Sequence, residues 1–107
     1  MTNDLSAIRH EMSEEIQYLI KAKDQAENEI QYNELNEIIR LKKEQFQTLL
    51  ESELGENQEE YKEALQVITD SVSDVKLALQ GLTTMAAALE KSTKALAAIR
   101  SLLKVIT

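Results

Sequence analysis

The 107 residues carry 19 acidic and 12 basic side chains, one His, two Gly, and no Cys, Pro or Trp. The lack of Cys excludes disulfides, thiolate zinc sites, iron–sulfur clusters and Cys nucleophiles. With no Pro, and Gly only at 55 and 81, the chain also lacks the turn residues that a sheet protein of this length needs. An apolar fraction of 43% is enough for one helical core, so the expectation is an all-α chain with a single domain over residues 1–107.

The first fifteen residues hold Asp4, Glu11, Glu14 and Glu15 against Arg9, the reverse of a basic, then apolar, secretory leader. The expected location is cytoplasmic. Apolar residues then recur as Leu5, Ile8, Met12, Ile16 and Leu19, thin out, and return as Ile30, Leu35, Ile38, Ile39, Phe46, Leu49 and Leu50. Ile8, Leu19, Ile30 and Leu41 stand eleven apart, a period that favours a nearly straight or slightly right-handed arrangement. Between 21 and 36 the apolar material is sparse, so the helix there is either solvated or broken.

Gly55 and Asn57 form the strongest punctuation. A Gly ends a helix without a Cβ clash, and Asn57 with Glu60 three residues on fits an N-cap and its capping-box partner. The arms on either side, 3–54 and 58–106, would each measure about 75 Å as unbroken helices. They suggest an antiparallel helical hairpin of an acidic N-terminal arm, a turn at 55–57 and a C-terminal arm. Breaks near 24–34 and at 70–74 or Gly81 would convert it to a four-helix arrangement.

In the second arm Tyr61, Ile68, Val75, Leu82, Leu89, Leu96 and Leu103 stand at strict seven-residue spacing, the pattern of knobs-into-holes packing. Beyond Gly81, Leu89, Leu96, Ile99, Leu103 and Ile106 make one seam, and Ala95, Ala98, Leu102 and Val105 a second beside it. One partner helix cannot cover both. The expected interface residues are therefore Leu82, Met85, Leu89, Leu96, Ile99, Leu102, Leu103 and Ile106, used for self-association into a bundle or for docking on another helical protein. The longest uncharged run, 77–89, is thirteen residues, below the roughly 18–20 of a membrane span.

Charge divides the chain more sharply than hydropathy. Residues 1–74 hold 7 bases and 18 acids, net −11, and residues 75–107 hold 5 bases and 1 acid, net +4, which together give −7. This polarity points to attraction between a basic C-terminal helix and an acidic surface; Arg100 and Lys104 at the C-terminal end of a helix dipole are the simpler explanation.

Little in the sequence suggests catalysis. A single His excludes HExxH zinc sites and the helical di-iron site, and His10, between Ile8 and Met12, falls on the outward side of the stripe. No nucleophile elbow or phosphate-binding Gly loop occurs. The carboxylate pairs Glu11/Glu15 and Glu59/Glu63 sit in runs of charge that look like solvated helix faces. No catalytic residue, metal or cofactor is expected. Direct nucleic-acid binding is disfavoured by the net charge and by the absence of aromatics on the basic face.

In length and helical layout the hairpin outline resembles small bacterial secretion-system chaperones and needle-type subunits, and the secreted hairpins named for a Trp-x-Gly turn. The turn here reads Leu54-Gly55-Glu56 with no Trp, so no residue carries over. The sequence thus points to a non-enzymatic helical interaction protein, an adaptor, chaperone-like partner or assembly subunit, binding through 75–106. Two alternatives stay open. One is a membrane-active helix lying at a bilayer surface or lining a pore. The other is an acidic mimic of nucleic acid acting through Glu29, Glu34 and Glu37, a composition also found among phage inhibitors of host defence.

Overall fold

The computed structural model describes residues 5–52 and 58–106. Four α-helices account for almost all of these: α1 (Ser6–Ala22), α2 (Glu29–Leu50), α3 (Gln58–Leu79) and α4 (Met85–Ile106), with a 3-10 turn, Lys23–Gln25, following α1. The four-helix alternative is the one adopted. The expectation of two unbroken helices, 3–54 and 58–106, is corrected, because each arm folds back on itself and the molecule measures 43 × 23 × 17 Å.

Local chemistry explains both breaks. After the 3-10 turn the backbone is extended at Ala26 and Asn28, and Asn28 Oδ1 accepts from the Gln31 amide at 2.8 Å, capping α2. Gln31 reciprocates, its Oε1 accepting from the Glu27 amide at 2.9 Å, so one pair of side chains satisfies an orphan donor of the helix start and the amide just before the cap. In the second arm Gly81 adopts φ +75°. The Leu82 amide donates to the Leu77 carbonyl and the Gly81 amide to the Ala78 carbonyl, the paired bonds of a Schellman stop. Thr84 then caps α4 through its Oγ1, which accepts from the Ala87 amide at 3.1 Å. The stretch 70–74 stays helical within α3, and the expected turn at 55–57, with its caps Gly55 and Asn57, lies outside the described residues.

Helix α1 packs on α2 and α3, and α4 packs on the same two, giving a ring in which α1 and α4 are diagonal. One apolar cluster joins Leu5, Ile8 and Met12 to Leu49, to Ala64, Ile68 and Val72, and to Ala95, Ile99 and Leu102. The other joins Leu19 and Ala22 to Leu35, Ile38 and Ile39, to Val75 and Ala78, and to Met85, Ala88 and Leu89. Helices α1 and α3 therefore run parallel, as do α2 and α4, and each pair is antiparallel to the other. At one end Arg9 donates to the carbonyls of Leu49 (2.6 Å) and Ser52 (3.2 Å), a cation placed at the C-terminus of α2 where the helix dipole favours it. At the other end Gln25 Nε2 donates to the Leu79 carbonyl at 3.3 Å, tying the first turn to the end of α3.

No helix of the described residues is long and apolar enough to cross a membrane. Gly81→Ala should destabilise by about 1–2 kcal/mol, since a Cβ there meets nothing within 4 Å and only the left-handed backbone resists it. Asn28→Ala should cost about 1 kcal/mol through the lost cap. Urea unfolding of the two single variants and the double variant checks both values and their expected additivity.

Candidate functional site

Between the two apolar clusters lies a single polar layer. Glu15 of α1, Lys42 of α2, Ser71 of α3 and Ser92 of α4 are each 0% exposed, so every helix contributes one side chain. Lys42 Nζ forms an ion pair with Glu15 Oε1, and neither atom makes a hydrogen bond to any other group. The second carboxylate oxygen, Oε2, accepts from Ser71 Oγ and from Ser92 Oγ, the latter at 3.1 Å, and the two hydroxyls lie 3.1 Å apart. The assignment of Glu11 and Glu15 to a solvated face is thus corrected for Glu15. It stands in the middle of the buried series Ile8, Met12, Glu15, Leu19, Ala22, whose alternating steps of four and three keep it on the core side.

A buried ion pair is stable only where the charges are paired and their remaining lone pairs satisfied. The carboxylate meets that condition, with a cation on one oxygen and two hydroxyl donors on the other. Lys42 meets it less well, having three N–H groups and one partner. Burial pushes its ammonium below the ordinary lysine range, and the neighbouring Glu15 charge offsets part of that shift. Serine, lysine and carboxylate side chains are the materials of nucleophilic catalysis, yet here both hydroxyls point at the carboxylate and no member of the layer is open to solvent. The arrangement joins all four helices through one set of bonded side chains. Among the described residues no group of three or more His, Cys, Asp or Glu side chains is gathered as a metal site requires.

Five of the eight expected interface residues, Met85, Leu89, Leu96, Ile99 and Leu102, are buried in the chain's own core. Apart from the exposed Val105, the two seams of α4 face α2 and α3, which become separate neighbours only because each arm folds back. Leu103 and Ile106 are half-buried against the same core. Leu82 is 69% exposed, because it belongs to the turn after α3, and the seven-residue series passes through that turn without its members sharing a face. Outward, α4 presents Lys91, Lys94, Arg100 and Lys104 beside Glu90, Ala97 and Val105, and the four cations form no ion pair among the described residues. His10 is exposed, with Nε2 3.1 Å from Glu14, on the outward side where its spacing put it.

A shallow groove separates α2 from α4, lined by Leu41, Glu44, Gln45, Thr48, Arg100 and Leu103. Gln45 Nε2 bridges its floor, donating to the Leu96 carbonyl at 2.9 Å. On the α2 rim Arg40 pairs with Glu37 and Glu44 within the helix, and its guanidinium holds the Glu37 carboxyl below the usual carboxylate value. Compared with protein-family models, curated proteins and solved structures, the chain matches none.

Lys42→Met, which leaves the Glu15 carboxylate buried without its cation, should destabilise by about 3–5 kcal/mol at neutral pH, whereas Glu15→Leu combined with Lys42→Met should recover most of that loss. The pH dependence has a definite sign. A lysine whose folded value is lowered leaves the unfolded chain holding more protons between that value and the ordinary one near 10.4, so stability rises with pH across the interval. Urea unfolding at neutral pH and at about pH 10 should show the parent chain gaining stability relative to the Glu15→Leu/Lys42→Met chain; equal pH profiles would contradict a buried, shifted Lys42.

Proposed function

We propose that this chain is a non-enzymatic helical protein–protein interaction module, an adaptor, chaperone-like partner or assembly subunit, that binds through the outward face of its basic C-terminal helix. The observation that carries this reading is the exposure of Lys91, Lys94, Arg100 and Lys104, spread over the outward half of α4, without ion pairs among the described residues, on a chain whose first 74 residues are net −11. Exposed cations of one sign on a rigid helix steer an acidic partner and fix its register more than they add raw affinity.

The contact surface differs from the one the apolar seams suggested. Because α2 and α3 already cover those seams, association adds contact on the outside of the bundle and does not complete a core. A membrane-active role is less well supported, since the apolar residues of α4 would have to leave the core to meet lipid.

Affinity enrichment from the native host tests the reading, with the wild-type chain and a Lys94→Glu/Arg100→Glu/Lys104→Glu chain as baits. Circular dichroism first establishes that both melt alike. Partners retained by the wild type should drop at least tenfold on the variant. Equal retention by both would contradict binding through α4, and co-flotation of the wild type with anionic vesicles would favour the membrane reading instead.

A further inference from the structure

The groove between α2 and α4 has opposite charge on its two rims. On α2, Glu37 and Glu44 recur seven residues apart, and Glu51 continues the row just past the helix end; all three are exposed. On α4 the exposed Arg100 and Lys104 form the facing rim, with the small residues Thr93, Ala97 and Ser101 exposed beside them. Glu44 and Arg100 line one groove, yet Glu44 pairs within its own helix with Arg40 at 3.0 Å, and Arg100 has no carboxylate within ion-pair distance among the described residues. Charges of opposite sign face outward side by side instead of closing on each other.

The register of these rims is fixed by the Gln45 to Leu96 hydrogen bond. Since α2 and α4 run parallel, position 44 is level with 95 and position 51 with 102, so Lys104 lies about half a turn from the height of Glu51, and Arg100 about one and a half turns from that of Glu44, a gap that the length of the two side chains spans because a helical side chain leans toward its own N-terminus. A two-fold axis laid along the groove leaves heights unchanged, exchanges the rims and sets α2 of one copy over α4 of the other. An axis laid across the groove would instead set the acidic row against itself. Only the first choice is self-complementary, as an isologous interface has to be.

We propose that the α2/α4 face binds a second copy of this chain in a two-fold dimer, Glu44 of each copy meeting Arg100 of the other and Glu51 meeting Lys104. The proposal rests on the reading that the outer face of α4 is a binding surface, and names its partner. Leu41 and Leu103 supply the apolar floor, Thr93 and Ala97 let the facing helix approach, and the charged rims make the association weaken as salt rises.

Sedimentation equilibrium at low ionic strength tests it through charge exchange between copies. The wild type should sediment at twice its 12.1 kDa mass. Glu44→Arg and Arg100→Glu should each be monomeric, because each sets like charges together at both symmetry-related contacts. An equimolar mixture of the two variants should recover the dimer, every contact then joining opposite charges. If either variant melts differently from the parent, Glu51→Lys and Lys104→Glu are used in the same way. A wild type that stays monomeric over a concentration series, single variants that dimerise like the parent, or a mixture that stays monomeric would each overturn the dimer. Partner loss by the Lys94→Glu/Arg100→Glu/Lys104→Glu bait together with a monomeric wild type would overturn the dimer and retain the wider reading, with a different acidic protein in the groove.

Discussion

The Glu15–Lys42 pair, with its two serine hydroxyls, is the constraint on which the rest of the molecule depends. Removing a carboxylate and an ammonium from water costs several kcal/mol per ion, and the cost is offset only in the geometry that brings them together. One side chain from each helix is required for that geometry. A helix slid by one turn, or exchanged with its neighbour in the ring, would place a charge or a hydroxyl against the apolar clusters on either side of the layer, with nothing to satisfy it. Apolar layers alone are more tolerant of such alternatives, since hydrophobic burial has no direction. The polar layer therefore supplies specificity of arrangement, and the two apolar clusters supply the stability that the charges consume.

This division of labour explains where the wide apolar surface of α4 goes within the chain. Its wide apolar arc faces two neighbours, α2 and α3, which exist as separate elements because the chain breaks at Asn28 and at Gly81. The breaks bring the ends of the helices into reach of one another, as Arg9 on the end of α2 and Gln25 on the end of α3 show. With most of its apolar side occupied, α4 turns its cations outward, while the acids of α1, α2 and α3, Glu15 excepted, lie at least partly exposed on those helices. The separation of charge along the sequence becomes a separation over the surface.

Much of the helical layout was legible in the residues. Absent Pro and scarce Gly exclude a sheet, the thin apolar stretch after Lys21 marks the first break, and Gly81 marks the second with a backbone conformation that favours glycine. The cap at Asn28 went unread, although an Asn with a Gln three residues on is a local signal of a helix start. The polar layer was harder to see. Glu15 and Lys42 sit in charged runs that resemble solvated faces, and only the stepwise series through each helix reveals them. Glu15 falls between Met12 and Leu19, Lys42 midway between Leu35 and Leu49, Ser71 between Ile68 and Val75, and Ser92 midway between Met85 and Ile99. The row from Tyr61 to Leu103, free of polar residues, drew attention away from the rows beside it that are interrupted. Of the two places offered for the second break, 70–74 stays helical, where Ser71 turns its hydroxyl to Glu15 instead of competing for its own backbone. Which seams of α4 are covered depends on the folding-back of both arms, a tertiary fact that no local pattern contains.

The central claim, that the polar layer fixes which helices are neighbours and in what register, is tested most directly by removing the whole layer at once. In a Glu15→Leu/Lys42→Leu/Ser71→Ala/Ser92→Ala chain, amide proton–nitrogen correlation spectra would be compared with those of the parent under identical conditions. If the account holds, the variant keeps its helical content and resists urea at least as well as the parent, but its amide signals broaden or multiply as the helices sample more than one packing. A single sharp set of signals, with interhelical contacts identical to those of the parent, would contradict it.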